Sequence, residues 1–305
     1  MGRGTFARTK KLREASVTTK PHISIERAVL FTEAYKKWEG SVEMPVLRAL
    51  SFKYFMENRT LCINDGELIV GEKGDSAQAA PTYPEICCHT IEDMNVMNDR
   101  DIVDFSVTEE DKRIQEEIII PFWEKRQTRR KIVNAMAPEW KNAYEAGMFT
   151  EFMEQRAPGH TVCGDIIYRK GFADLKKDIE KEIANLDFLN DKEAYDKKAD
   201  LEAMAISCDA MIIFGKRYAE LARKMAAETT DEQRKKDLLL IAENCDVVPE
   251  HAPKTFHQAI QMYWFVHVGI TTELNTWDAF SPGRLDQHLN PFYEKDVEEG
   301  RLTRE

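Results

Sequence analysis

Apolar residues recur at helical spacing along most of the chain. After a basic leader containing Arg3, Arg8, Lys10, Lys11 and Arg13, a helical pattern opens at Ser24-Ile25-Glu26-Arg27-Ala28, continues through Leu30, Tyr35 and Trp38, and ends near Gly40. Ser24 has the side chain of an N-cap. A second helix is predicted over residues 45–58, with Val46, Leu47, Leu50, Tyr54 and Phe55 on its apolar side. The period then changes. Residues 61–63 and 67–71 flank Asn64-Asp65-Gly66 and predict two short strands about a tight turn, and residues 72–84 read as loop, punctuated by Gly74, Pro81 and Pro84.

Helical spacing returns over residues 109–142, which are heavily charged and carry Phe122, Trp123 and Trp140. Two long helical patterns cover residues 201–228 and 231–244. In the first, Leu201, Met204, Ile212, Tyr218, Leu221 and Met225 form a stripe expected to be core. A third, residues 255–268, is apolar on most sides through Ile260, Met262, Tyr263, Trp264, Phe265 and Val266, so it must be interior.

Two stretches interrupt these patterns and carry the candidate chemistry. Residues 148–172 begin with Met148, Phe149, Phe152 and Met153 at helical spacing and then break at Ala157-Pro158-Gly159-His160. Proline fixes its own φ and restricts its predecessor, so the corner holds His160 on a rigid support. With Glu154, Arg156, Cys163 and Asp165 nearby in sequence, His160 is a candidate for proton exchange near neutral pH; the competing reading is a loop histidine bonded to a backbone carbonyl. Residues 272–290 gather Glu273, Asp278, Arg284, Asp286 and His288 about Ser281-Pro282-Gly283. Asp286 and Arg284 fit a structural ion pair. Asp278, between Trp277 and Phe280, has the apolar setting that raises a carboxylate's pKa and suits acid/base work.

Composition narrows the classes. The 305 residues are 43% hydrophobic and 32% charged, enough for a full core, and the net charge of -11 argues against a nucleic-acid surface. No apolar run approaches the roughly 20 residues needed to span a bilayer, and a cytoplasmic protein is expected. The six cysteines show no CxxC spacing and read as reduced thiols; adjacent Cys87 and Cys88 read as packed thiols, and no metal site is expected. The basic run from Lys125 to Lys131 reads as an exposed helix face. Thr303 has the position of a helix cap with only two residues after it, so the chain is expected to continue in a longer protein.

Four motifs, in order, carry a resemblance: Pro21-His22-Ile23-Ser24-Ile25-Glu26-Arg27-Ala28, Asn64-Asp65-Gly66-Glu67-Leu68-Ile69-Val70-Gly71, Glu154-Gln155-Arg156-Ala157-Pro158-Gly159-His160 and Gly283-Arg284-Leu285-Asp286-Gln287. Through them the chain, from about Phe6 onward, resembles the N-terminal part of glycyl radical enzymes of the pyruvate formate-lyase type. The resemblance implies an α/β fold in which residues 1–305 form the mainly helical first part of a ten-stranded α/β barrel. It also implies a backbone glycyl radical, installed by an activating enzyme that uses S-adenosylmethionine and an iron-sulfur cluster, and a thiyl cysteine in a Gly-Cys-Val-Glu type motif. Neither the cysteine motif nor the radical glycine motif occurs here, so these residues alone are not expected to turn over. The implied reaction is loss of water from trans-4-hydroxy-L-proline; alternatives are another glycyl radical lyase, such as a diol or glycerol dehydratase, or a helical interaction module without catalysis. By the same resemblance Phe152 packs against the substrate ring, and His160 and Asp278 hydrogen-bond its polar groups. A small-molecule substrate, the activating enzyme and a homo-oligomer of the full-length protein are the implied partners.

Overall fold

The computed structural model describes residues 3–149, 160–161, 163–274 and 280–303. Helix α1 (Arg3–Thr18) precedes a short strand β1 (His22–Ser24), followed by α2 (Glu26–Trp38) and α3 (Met44–Asn58). After β2 (Ala79–Pro81) come α4 (Ile91–Asp99), α5 (Glu109–Ile114) and α6 (Ile120–Trp123), the last two joined by a π-helical turn over Gln115–Ile119, then α7 (Thr128–Ala135) and α8 (Pro138–Glu145). The remainder holds β3 (His160–Thr161), a 3-10 turn (Ile166–Tyr168), α9 (Phe172–Ala184), α10 (Ala194–Glu228), α11 (Glu232–Val247), α12 (Phe256–Leu274), β4 (Phe280–Ser281) and α13 (Leu285–Glu298). The described residues are therefore mainly helical, as the apolar spacing predicts. No described helix is long and apolar enough to cross a membrane.

Local chemistry accounts for several helix starts. Pro45 occupies the first turn of α3, where its missing N–H costs nothing. Thr90 and Thr108 each cap a helix reciprocally with an aspartate three residues on, Asp93 and Asp111. Asp231 accepts from the amides of Gln233 and Arg234 at the start of α11. Ser24, the expected cap of α2, belongs instead to β1; Ile25 takes the cap position with no side-chain bond. The reason lies in the loop downstream, where β2 pairs in parallel with β1, His22 facing Ala79, and draws Ser24 into extended backbone.

The two strands expected at 61–63 and 67–71 do not form, although the turn does, with Gly66 at φ +82°. Side chains satisfy this backbone instead of a strand partner. Gln261 accepts from the Val70 amide at 2.8 Å and donates to the Val70 carbonyl at 2.7 Å. Trp264 donates to the Gly71 carbonyl, and Arg234 donates to the carbonyls of Asn64 and Glu67.

The main core lies where α10 packs on α3, α9 and α11 and meets α12. Phe214, Tyr218 and Phe265 form an aromatic trio with centroids 5.1 to 5.7 Å apart. All three are fully buried, and each such side chain contributes about 2–3 kcal/mol relative to exposure. The stripe expected on α10 is displaced. Of its members Tyr218 is buried and Leu221 and Met225 pack half-buried against the core, while Met204 is 52% exposed. The buried side is built from Cys208, Met211, Phe214, Ala219, Ala222 and Ala226, because close approach of neighbouring helices selects small residues between the large ones. Gly215 marks one such close approach: a Cβ there would stand 2.4 Å from Pro249 Cδ.

Candidate active site

The last turn of an α-helix exposes carbonyls that have no intrahelical donor. At the end of α12 three consecutive ones are taken by side chains from elsewhere, two of them buried and one half-buried. Tyr83 Oη donates to Thr271 O at 2.6 Å, Arg27 Nε to Thr272 O at 2.7 Å, and Arg48 Nη2 to Glu273 O at 3.1 Å. Arg27 comes from α2, Arg48 from α3, and Tyr83 from the segment after β2, so one helix end is held from three directions. Two guanidinium groups at a helix C-terminus also complement its dipole.

Carboxylates and aromatic faces hold the arginines. Arg27 is 1% exposed and lies between the rings of Phe31 and Tyr83, with Cζ 3.9 and 4.0 Å from their centroids. It grips Glu85 through two nitrogens, at 2.6 and 3.1 Å, and Arg48 reaches the same carboxylate at 3.3 Å. Arg48 also pairs with Glu273 Oε1 at 2.8 Å through Nε and meets Tyr35 Oη at 3.3 Å. Burial alone would raise the Glu85 carboxyl, but Arg27 and Arg48 outweigh it and bring it down to about 2. Glu273 goes the other way: burial raises its carboxyl more than Arg48 and Arg27 lower it. Its side chain keeps 27% of its surface, yet Oε2 itself is sealed and has no hydrogen-bond partner among the described residues.

Five residues separate Leu274, at the end of α12, from Phe280, at the start of β4. Strand β4 pairs in parallel with β3, His160 facing Phe280 and Thr161 facing Ser281. The backbone thus joins the two stretches that the sequence singles out. The segments that follow the paired strands also pack together: Tyr168 of the 3-10 turn stacks on His288 of α13 at 5.4 Å between centroids, in a cluster with Leu289 and Val266. Of the expected site residues, His160 lies in β3, while Phe152 and Asp278 lie outside the described residues. Among the described residues no ion pair joins Arg284 to Asp286; Asp286 sits in the first turn of α13, a favourable place for an acid, and the carboxylate of this stretch that finds an arginine is Glu273.

A cavity of about 700 Å³ opens beside the network, walled by Arg48 and Phe52 of α3, Phe172 of α9, Cys208 of α10, and Glu273. A second, of about 560 Å³, lies under α1 and shares no residue with the network. Cys208 is not activated: burial pushes its thiol up to about 11. Burial likewise pushes Cys88 up to about 12, with neighbouring Cys87 adding to the shift. Neither thiol has the environment of a nucleophilic cysteine, which needs a lowered pKa.

Sequence reasoning named Arg27 within a motif and Glu273 within a patch but assigned the network to neither. A signal was present. Arg27 stands four residues before Phe31 and eight before Tyr35, on the apolar side of its helix, and Arg48 stands four before Phe52. A charge on a face that must be buried requires a partner.

Residues 4–305 match the model of the pyruvate formate lyase-like family, and the chain belongs to that family. Among its relatives, trans-4-hydroxy-L-proline dehydratase of Clostridioides difficile is 77% identical over 305 residues, covering 100% of this chain and 39% of the relative. The crystal structure of hydroxyproline dehydratase from Clostridioides difficile with substrate trans-4-hydroxy-L-proline bound superposes with a TM-score of 0.94, at 77% identity, over 100% of this chain and 38% of that one. A structure describing 1,2-propanediol dehydration in Roseburia inulinivorans matches with a TM-score of 0.89 at 32% identity, over 97% of this chain and 35% of that one. The chain therefore spans under two-fifths of the length of these relatives.

Proposed function

We propose that this chain is the N-terminal part of a glycyl radical dehydratase that removes water from trans-4-hydroxy-L-proline. The observation that carries the reading is 77% identity along the whole chain to the hydroxyproline enzyme, against 32% to the propanediol structure. In this reading residues 1–305 supply the helical wall of a ten-stranded α/β barrel. The radical glycine and thiyl cysteine belong to parts of the full-length polypeptide with motifs not found in this sequence. The radical supplies removal of a hydrogen from the carbon beside the ring nitrogen and, after the hydroxyl has left, return of a hydrogen to the carbon that carried the hydroxyl.

This chain's residues hold the substrate and move protons. That hydroxyl leaves poorly unless it is protonated or strongly hydrogen-bonded. His160 assists its departure as water. Asp278 orients the ring nitrogen or shares in proton transfer, and Phe152 packs against the ring. The β3–β4 register supports the grouping, since it sets His160 opposite Phe280, two positions after Asp278 in sequence. The same reading carries a cytoplasmic, oxygen-free setting, an activating enzyme that uses S-adenosylmethionine and an iron-sulfur cluster, and a homo-oligomer of the full-length protein.

The test is turnover by the full-length polypeptide, activated anaerobically and offered hydroxyproline, 1,2-propanediol and glycerol. The expected result is a pyrroline carboxylate from hydroxyproline and no turnover of either diol or triol. Turnover of propanediol or glycerol without hydroxyproline would overturn the substrate assignment.

A further inference from the structure

We infer that α1 is an electrostatically held strap, which closes the cavity of about 560 Å³ beneath it and opens by local detachment while the rest of the fold stays intact. The helix is the basic leader of the sequence, with five basic residues and one acid between Arg3 and Thr18 in a chain of net charge -11. Over residues 7–18 no side chain is buried, and only Arg8 and Leu12 are half-buried. A helix of this length is marginal in water by itself, and in a globular protein it ordinarily owes its stability to an apolar face packed on the core. Residues 7–18 bring only Leu12 to such a face; their other attachments are polar.

Those attachments lie on separate parts of the fold. Arg8 Nη2 pairs with Asp237 Oδ2 of α11 at 2.7 Å. Lys11 pairs with Asp65 in the turn, where Leu12 Cδ2 and Arg8 Cγ also lie over Gly66, 3.7 and 3.8 Å from the place its Cβ would take. Gln78 Nε2 donates to the carbonyl and the hydroxyl of Ser16 at 3.2 and 3.3 Å. Just past the helix, Lys20 pairs with Asp104 at 2.5 Å. Asp237 is 8% exposed, and Arg8 is the one cation paired with it among the described residues, so α1 balances a buried charge of α11. Between these attachments the contact is hollow. Lys11, Leu12, Ala15 and Ser16 roof the cavity, and Phe105 and Trp264 stand among the residues of its other walls. Trp264 is fastened from below, by its bond to the Gly71 carbonyl at 2.7 Å, and keeps that bond when the roof lifts. Exposed ion pairs each favour a docked state by a factor of roughly 1.5 to 5, and salt weakens them, whereas packing of an apolar face is not screened.

The test is hydrogen exchange in the full-length protein, resolved by peptide, at about 0.1 M and about 1 M sodium chloride, between which the screening length falls from about 10 Å to about 3 Å. Exchange in residues 3–18 is expected to accelerate about tenfold at the higher salt, the scale set by three ion pairs of this strength, while exchange in α3 does not change. Quenching of tryptophan fluorescence by acrylamide, an uncharged probe, is expected to rise over the same range, and the rise to be absent in Trp264→Phe. Lys11→Gln should accelerate exchange of residues 3–18 at the lower salt by about threefold and shrink the salt effect by about the same factor. Asp65 is exposed, so this change strands no buried charge. Exchange in residues 3–18 that ignores salt, or that accelerates only together with α3, overturns the inference. So does a salt effect that survives undiminished in Lys11→Gln, or quenching of Trp264 that salt leaves unaltered. None of these readouts depends on which substrate the enzyme turns over.

Discussion

Arg27 and Glu85 form a two-pronged ion pair, at 2.6 and 3.1 Å, with the arginine 1% and the glutamate 8% exposed. A pair so buried has little net margin in isolation, since desolvation of both charges opposes their attraction. Here the arginine is also sandwiched by Phe31 and Tyr83 and donates to two backbone carbonyls, so the pair fixes an arrangement of several elements.

Removing one partner should therefore be costly. Glu85→Ala leaves Arg27 buried without its counter-ion and is expected to lower unfolding free energy by about 3–5 kcal/mol, read from urea denaturation. The pH dependence has a definite sign. Glu85 titrates at about 2 in the fold, below the ordinary value near 4.3, so folding favours its ionised form. Its contribution is complete above about pH 4.3 and is lost as pH falls through about 2. Urea midpoints recorded from pH 7 to pH 2 should decline in that window, and the decline should be smaller in Glu85→Gln.

Gln261 fastens the segment that the sequence reads as a hairpin. Its two bonds to Val70 are both buried, and Gln261→Leu would leave that amide and carbonyl without partners. A loss of about 2–6 kcal/mol is expected, at about 1–3 kcal/mol for each of the two stranded groups. Hydrogen exchange at the Val70 amide should accelerate more than exchange in α3; equal acceleration would mean that the two move as one unit.

The thiols should react in order of access. Cys163 is exposed, whereas Cys245 is 2% exposed and its thiol is pushed up by burial. Alkylation by iodoacetamide at pH 8, followed by peptide mapping, should mark Cys163 first and leave Cys245 unmodified until the protein unfolds.

How much of this was legible in the sequence depends on the range of the interactions. Helices α3, α11 and α12 follow from apolar period, a proline in the first turn or an aspartate cap, all local features. The failures at residues 61–71 and at Ser24 share a cause: partners of those backbone groups lie up to 191 residues away, as Gln261 does from Val70, and no local pattern announces them. On α10 the fully buried side includes Ala210, Ala219 and Ala222, small residues that an apolar stripe of large side chains does not reveal. Helices α1, α4, α9 and α13 went unread, α13 because Pro291 and its polar residues mask a pattern that tertiary packing completes. At the site, His160 and the stretch around Asp278 stood out by chemistry. The arginine network at the end of α12 did not, because its partners come from elements far apart in sequence.

The most direct measurement is kcat for hydroxyproline in the full-length, anaerobically activated enzyme carrying His160→Ala or Asp278→Asn, with radical content measured in the same samples. The account expects each variant to lose about a hundredfold or more at normal radical content, the size of effect typical of a direct acid/base position. A rate near that of the unmodified enzyme in either variant would contradict it.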